Sequence, residues 1–237
     1  MSIFLWCILF FPSAHAETVE ELYEQGQKYV KRGYYTKALE SFNNVRNYYR
    51  DDPLAQMAEL AIADVYFKKA EWDLARYSYD DFRRRYPRHE KADYATFQIG
   101  MSFYKKAPKF SGRDQKWTES TIAVWNGFET RYPESEHLTE MQELRSECLE
   151  RLAKKELGIA EFYEKRKAWD AVRRRGEGLV QDFPQSSHVP EAYALLVQAY
   201  VELGDRSAAE MALDRLRSSH PEEATRLQEK YWKTDKN

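Results

Sequence analysis

The chain has 237 residues, the length of one repeat array or of one or two ordinary domains. Hydrophobic residues at 43% and charged residues at 32% exclude a disordered chain, and 37 Lys+Arg against 39 Asp+Glu exclude a bulk electrostatic attraction to nucleic acid. With only 9 Gly and 8 Pro, long uninterrupted helices are open to it.

Residues 3–11 are apolar throughout, and Pro12 and Ala14-His15-Ala16 follow. The run is too short to span a bilayer and ends in a small-x-small pattern, so residues 1–16 read as a signal peptide cut after Ala16. Cys7 would leave with it. Cys148 would then be alone, on a polar helical stretch, and reads as a core thiol with no disulfide partner.

From residue 17 onward one pattern recurs. Proline returns as Pro53, Pro87, Pro133, Pro184 and Pro221, the last four each behind an aromatic ring (Tyr86, Tyr132, Phe183, His220). Upstream of these prolines lie two helix-period segments around a small turn. Residues 19–50 supply Gly26, Tyr29, Gly33, Tyr35, Ala38 and Phe42. Residues 56–87 supply Ala63, Tyr66, Ala70, Trp72, Ala75, Tyr79 and Phe82. The third copy opens at Asp93 with Gly100 and Phe103, breaks at an insertion, Pro108 to Trp117, and resumes with Trp125 and Phe128. Residues 134–152 exceed the period and read as a lead-in helix running into the fourth copy, 153–184, whose turn, Arg166-Lys167-Ala168, has no glycine. The fifth copy, 190–221, carries Tyr193, Tyr200, Gly204-Asp205 and Ala209.

Small residues where two helices cross, aromatics between pairs and a closing proline are the tetratricopeptide (TPR) pattern. Each pair cannot bury its apolar face alone, so neighbours must stack. The predicted fold is all-α: a right-handed α-solenoid of about five TPR-like helix pairs. The expected layout is a signal peptide at 1–16, repeats 1–3 over 17–133 with the insertion at 108–117, a long helix with repeats 4–5 over 134–221, and a tail at 222–237.

Residues with chemical potential do not converge. Four of the five histidines, His89, His137, His188 and His220, fall near repeat-ending prolines and read as turn or cap residues. No pair has metal-ligand spacing, and there is no Gly-rich phosphate loop or nucleophile elbow. The runs Arg83-Arg84-Arg85 and Arg173-Arg174-Arg175 read as solvated helix faces. No catalytic, metal or cofactor site is expected, and the insertion stands as either a functional loop or a tolerated excursion.

The stretch from Arg151 to Val172, with Glu177-Gly178-Leu179 and Asp182-Phe183-Pro184 beyond it, resembles the fourth-repeat region of the BamD (ComL) family of outer-membrane β-barrel assembly lipoproteins. Asp93-Tyr94 and Arg113-Asp114 agree in kind. The resemblance implies a non-enzymatic scaffold in the periplasm, on the periplasmic face of the outer membrane. It implies docking of the C-terminal half on the last POTRA domain of a BamA-type barrel subunit, with Arg175, Arg166 and Glu177 as partner-binding residues. It implies capture of unfolded β-barrel proteins by the N-terminal repeats, with Tyr29, Tyr35 and Tyr66 as peptide-binding residues. Other lipoproteins of the same machine are possible partners; nucleic acid and cofactors are not implied. One departure stands out: family members carry a lipobox with a small residue before the lipid-bearing cysteine, and here Trp6 precedes Cys7. The runner-up reading is another periplasmic TPR adaptor, such as the cell-division coordinator of the Tol-Pal system.

Overall fold

The computed structural model describes residues 17–232; the expected signal peptide, Cys7 and the end of the expected tail lie outside them. Among the described residues the regular structure is helical: α1 (Val19–Lys31), α2 (Tyr35–Tyr48), α3 (Pro53–Lys68), α4 (Trp72–Arg85), α5 (Ala92–Lys106), α6 (Lys116–Trp125), α7 (Phe128–Arg131), α8 (Leu138–Glu164), α9 (Trp169–Asp182), α10 (Val189–Leu203), α11 (Arg206–Ser219) and α12 (Pro221–Trp232). The chain's contacts divide it into two units, one ending at Phe82 and one beginning at Arg83, whereas the repeat count places a division after residue 133.

In the first unit α1, α2 and α3 pack on one another around Leu22, Phe42, Val45, Ile62 and Val65. Thr18 starts α1 with a capping box: its hydroxyl accepts from Glu21 N–H, and the Glu21 carboxylate accepts from Thr18 N–H. Gly26 is required by closeness, because a Cβ there would lie 2.5 Å from the Phe42 ring. On α4, Ala75, Tyr79 and Phe82 are buried, and the Tyr79 hydroxyl donates to Asp64 of α3 at 2.5 Å.

In the second unit each helix packs on its sequence neighbour from α8 to α12, with α5 on α6 and α6 on α8. Gly100 of α5 again marks a crossing: a Cβ would meet the Trp125 indole at 2.1 Å. That indole is fully buried, donates to the Phe97 carbonyl at 3.2 Å and stacks on the Phe97 ring, whose ring also stacks with His137. The second helix of the third copy is broken into α6 and α7, because Gly127 stands in the left-handed region at φ 70°. Lead-in and first helix of the fourth copy are one continuous α8, with Cys148 fully buried on it.

In four of the pairs the turn between the two helices has one geometry. At Gly33, Ala70, Lys167 and Gly204 the backbone is left-handed, with φ 76°, 58°, 55° and 79°. In each the next residue's N–H reaches back five residues, to Tyr29, Tyr66, Tyr163 and Tyr200 respectively, which is the Schellman closure of a helix C-terminus. The glycine-free fourth turn therefore has the same geometry as the others, with Lys167 bearing the strain. Helices α4, α7 and α9 end two residues before Pro87, Pro133 and Pro184, but Pro221 also opens a new helix. The segment expected as a tail thus forms α12, which packs on α11 and α10 through Ala224, Leu227, Tyr231 and Trp232.

Candidate partner-binding surfaces

The triple arginine of α9 is paired residue by residue. Arg173 reaches Asp170 (2.8 Å) and Glu177 (2.9 Å), Arg174 shares Asp170 (2.8 Å), and Arg175 reaches across to Glu156 of α8 (2.8 Å). The Arg173 guanidinium beside Asp170 holds that carboxyl below the ordinary carboxylate range. Residues two apart on a helix point away from one another, so Arg173 and Arg175 face different neighbours. Arg175 lines an open groove with Glu156, Tyr163, Ala171, Arg174, Gly178 and Asp182. Its side chain is 46% exposed while Glu156 is 24% exposed, so the pair presents its cationic end outward. A guanidinium held at one nitrogen by Glu156 keeps further N–H donors for a second acceptor.

Arg166 sits just past the α8 C-terminus. It donates to the Phe162 carbonyl at 3.0 Å, and its guanidinium lies 3.4 Å from the Phe162 ring centroid. A cation there also meets the negative end of the helix dipole. Phe162 is exposed and meets Tyr163 edge-on, with ring centroids 5.5 Å apart. The Arg175 groove and Arg166 are therefore joined through the Tyr163–Phe162 pair. Glu177 is not part of this surface. It accepts from Arg173 and from the Tyr200 hydroxyl (2.7 Å), pinning α9 to α10. Burial first, and then the Glu177 carboxylate, push the Tyr200 phenol well above its ordinary value. Glu156 and Phe162 lie inside the stretch from Arg151 to Val172 that carries the resemblance, but nothing local singles out either one: Glu156 is 19 positions from the arginine it orients.

In the first unit the three tyrosines expected to bind peptide are half-buried against the α1–α3 core. Tyr29 meets Tyr34 at 6.4 Å and has Lys37 Nζ 5.7 Å from its ring centroid. Tyr35 opens α2 and lines a shallow cleft with Gly33, Tyr34 and Lys37. Tyr66 packs on the same core and supplies the carbonyl that closes the Ala70 turn. The groove between α1 and α3 is lined instead by Tyr23, Gln27, Val30, Lys31, Asp64 and Lys68, over Phe42 and Ala61. Burial, with Asp64 adding to it and a Gln27 hydrogen bond opposing, raises the Tyr23 phenol. Tyr23, three residues before Gly26, carries no signal in the repeat pattern that sets it apart from a core position.

No cluster of His, Cys, Asp and Glu able to hold a metal occurs among the described residues, and none of their helices is long and apolar enough to cross a membrane. Stacked helix pairs with open, charged and aromatic grooves define the class: a helical-repeat protein-interaction scaffold. The chain belongs to the YfiO family, described as "Outer membrane lipoprotein", which matches residues 15–216. It is 28% identical to the outer membrane protein assembly factor BamD of Xylella fastidiosa, over 94% of this chain and 82% of that protein. It is 26% identical to BamD of Neisseria meningitidis serogroup B, over 78% and 73% respectively, and 24% identical to BamD of Vibrio cholerae, over 80% and 83%. Among solved structures, the TPR2AB domain of yeast Sti1 in its pHSP90 complex is similar in fold, with a TM-score of 0.50 at 15% identity over 89% of this chain and 83% of that one.

Proposed function

We propose that this chain is a non-enzymatic, protein-binding scaffold of the outer-membrane β-barrel assembly machine, working at the periplasmic face of the outer membrane. The family match and the relatives' shared name, outer membrane protein assembly factor, favour this over a cell-division coordinator. The observation that carries the binding mode is the Glu156–Arg175 pair: an exposed arginine, oriented by a carboxylate of the neighbouring helix, in an open groove with Tyr163. This surface docks on the last POTRA domain of a BamA-type barrel subunit, with Arg166 and Phe162 at its edge. Glu177 acts from behind, by holding α9 on α10.

The first unit takes extended segments of unfolded β-barrel proteins in the α1–α3 groove. Tyr23 and Val30 offer apolar contact there, and Gln27, Lys31 and Lys68 line its polar side. Tyr29, Tyr35 and Tyr66 shape that unit from its core. Affinity purification of the tagged chain from detergent-solubilised membranes tests the reading. The barrel subunit is expected in the eluate of the wild type, and about tenfold less of it with Arg175→Glu, the order of one buried charge-pair contact. Equal recovery, with helical circular dichroism unchanged, would sink the assignment of this surface.

A further inference from the structure

We propose that the insertion between α5 and α6 is a membrane-contacting knuckle that docks on anionic lipid headgroups. Its shape is fixed from within. Gln115 is fully buried, and its amide donates to the carbonyls of Phe110 (2.9 Å) and Arg113 (3.3 Å) while accepting from the Thr118 hydroxyl (2.6 Å). Arg113 N–H closes a turn onto the Phe110 carbonyl. From behind, Arg151 of α8, itself only 8% exposed, donates to the Pro108 carbonyl at 3.3 Å and is held by Glu147. A buried arginine and a buried amide serve here to hold a surface loop.

That rigid turn presents a ring to solvent. Phe110 is 71% exposed, the ring lying over Gly112, where a Cβ would come within 2.7 Å of it. Lys105, Lys109, Arg113 and Lys116, in the same segment, are exposed as well, and Lys106 lies 4.0 Å from the Trp117 ring centroid. The single carboxylate between residues 105 and 116, Asp114, accepts from Lys116 N–H at the start of α6. In a chain of net charge -2, residues 105–116 concentrate five cations and one carboxylate in the segment that carries the protruding Phe110. A protein hot spot sits in a well-packed, desolvated pocket near the centre of an interface, ringed by contacts that exclude water. Phe110 instead protrudes from a segment of exposed long cationic side chains, the composition that suits a lipid interface, where one ring inserts and flexible cations meet headgroups. Membership in a family of outer membrane lipoproteins places such a surface within reach.

The test is partition of the purified mature protein onto phosphatidylcholine vesicles with and without phosphatidylglycerol. Any lipid anchor contributes equally to every variant, so the comparison is between variants. Wild type gains affinity when phosphatidylglycerol is present. Lys109→Glu/Arg113→Glu loses that gain, about tenfold or more, as does wild type in about 0.5 M salt. Phe110→Ser loses a few-fold on both vesicles. Variants that partition like wild type, or no dependence on anionic lipid, would overturn the proposal. So would a photoreactive phenylalanine at position 110 that, in cells, forms an adduct of one discrete protein mass, which would assign the knuckle to an acidic protein. None of these readouts depends on Arg175, so failure here leaves the scaffold reading intact.

Discussion

At the loop joining α9 to α10, Glu150 of α8 accepts from the Ser187 N–H (2.8 Å) and from the hydroxyls of Ser186 (2.9 Å) and Ser187 (3.1 Å). Burial opposes its ionisation, but these three donors outweigh it and the carboxyl titrates below its ordinary 4.5. A carboxyl depressed on folding contributes stability that is complete above the unfolded value and fades as pH falls through the folded one. Stability should therefore drop below about pH 4.5, and Glu150→Gln should flatten that part of the profile and cost about 1 kcal/mol at neutral pH, read from urea midpoints. Lys167 makes a complementary case. A non-glycine residue at φ 55° is strained, so Lys167→Gly should stabilise by about 0.5–1 kcal/mol, whereas Gly204→Ala, at φ 79°, should destabilise by about 1 kcal/mol. Cys148 is fully buried, and burial pushes its thiol up to about 11. An aromatic disulfide reagent at pH near 8 should leave it unmodified in the native protein and titrate it after unfolding. The sequence made Cys148 and the glycine turns legible, because each follows from local chemistry. It could not show Glu150, Glu156 or Gln115, whose roles exist only once distant segments meet.

Among the elements, the helix pairs could be read from periodicity, since Gly26 and Gly100 sit where a facing ring demands them. Gly100→Ala drives a methyl to 2.1 Å from Trp125 and should cost about 2–3 kcal/mol, seen as a lower Tm with little loss of helix below the transition. The break between α6 and α7 escaped the periodic pattern, because Trp125 and Phe128 keep helical spacing on either side of Gly127. Helix α12 escaped it for another reason. Pro221 closes one repeat and equally suits the first turn of a following helix, where its missing N–H costs nothing. A repeat array needs a terminal element with a polar outer face. α12 fits that description, burying Ala224 while Glu222, Thr225 and Arg226 remain exposed.

For the molecule as a whole, the contacts define two units, each a stack of helix pairs with its own groove. The fold class follows from repeated small, aromatic and proline positions, and the family follows from the match over residues 15–216. The proposed partner surface is less legible: Arg175 and Arg166 lie at one groove and its edge, whereas Glu177 turns to Arg173 and Tyr200. The proposed docking mode requires that Arg175 reach a partner and be more than a brace between α8 and α9. Recovery of the barrel subunit with Arg175→Glu, and with the charge swap Glu156→Arg/Arg175→Glu, tests it most directly. The swap restores the internal ion pair, so it should restore thermal stability while recovery stays about tenfold down. Recovery returning to the wild-type level with the swap would rule this docking mode out, because Arg175 would then matter only through Glu156.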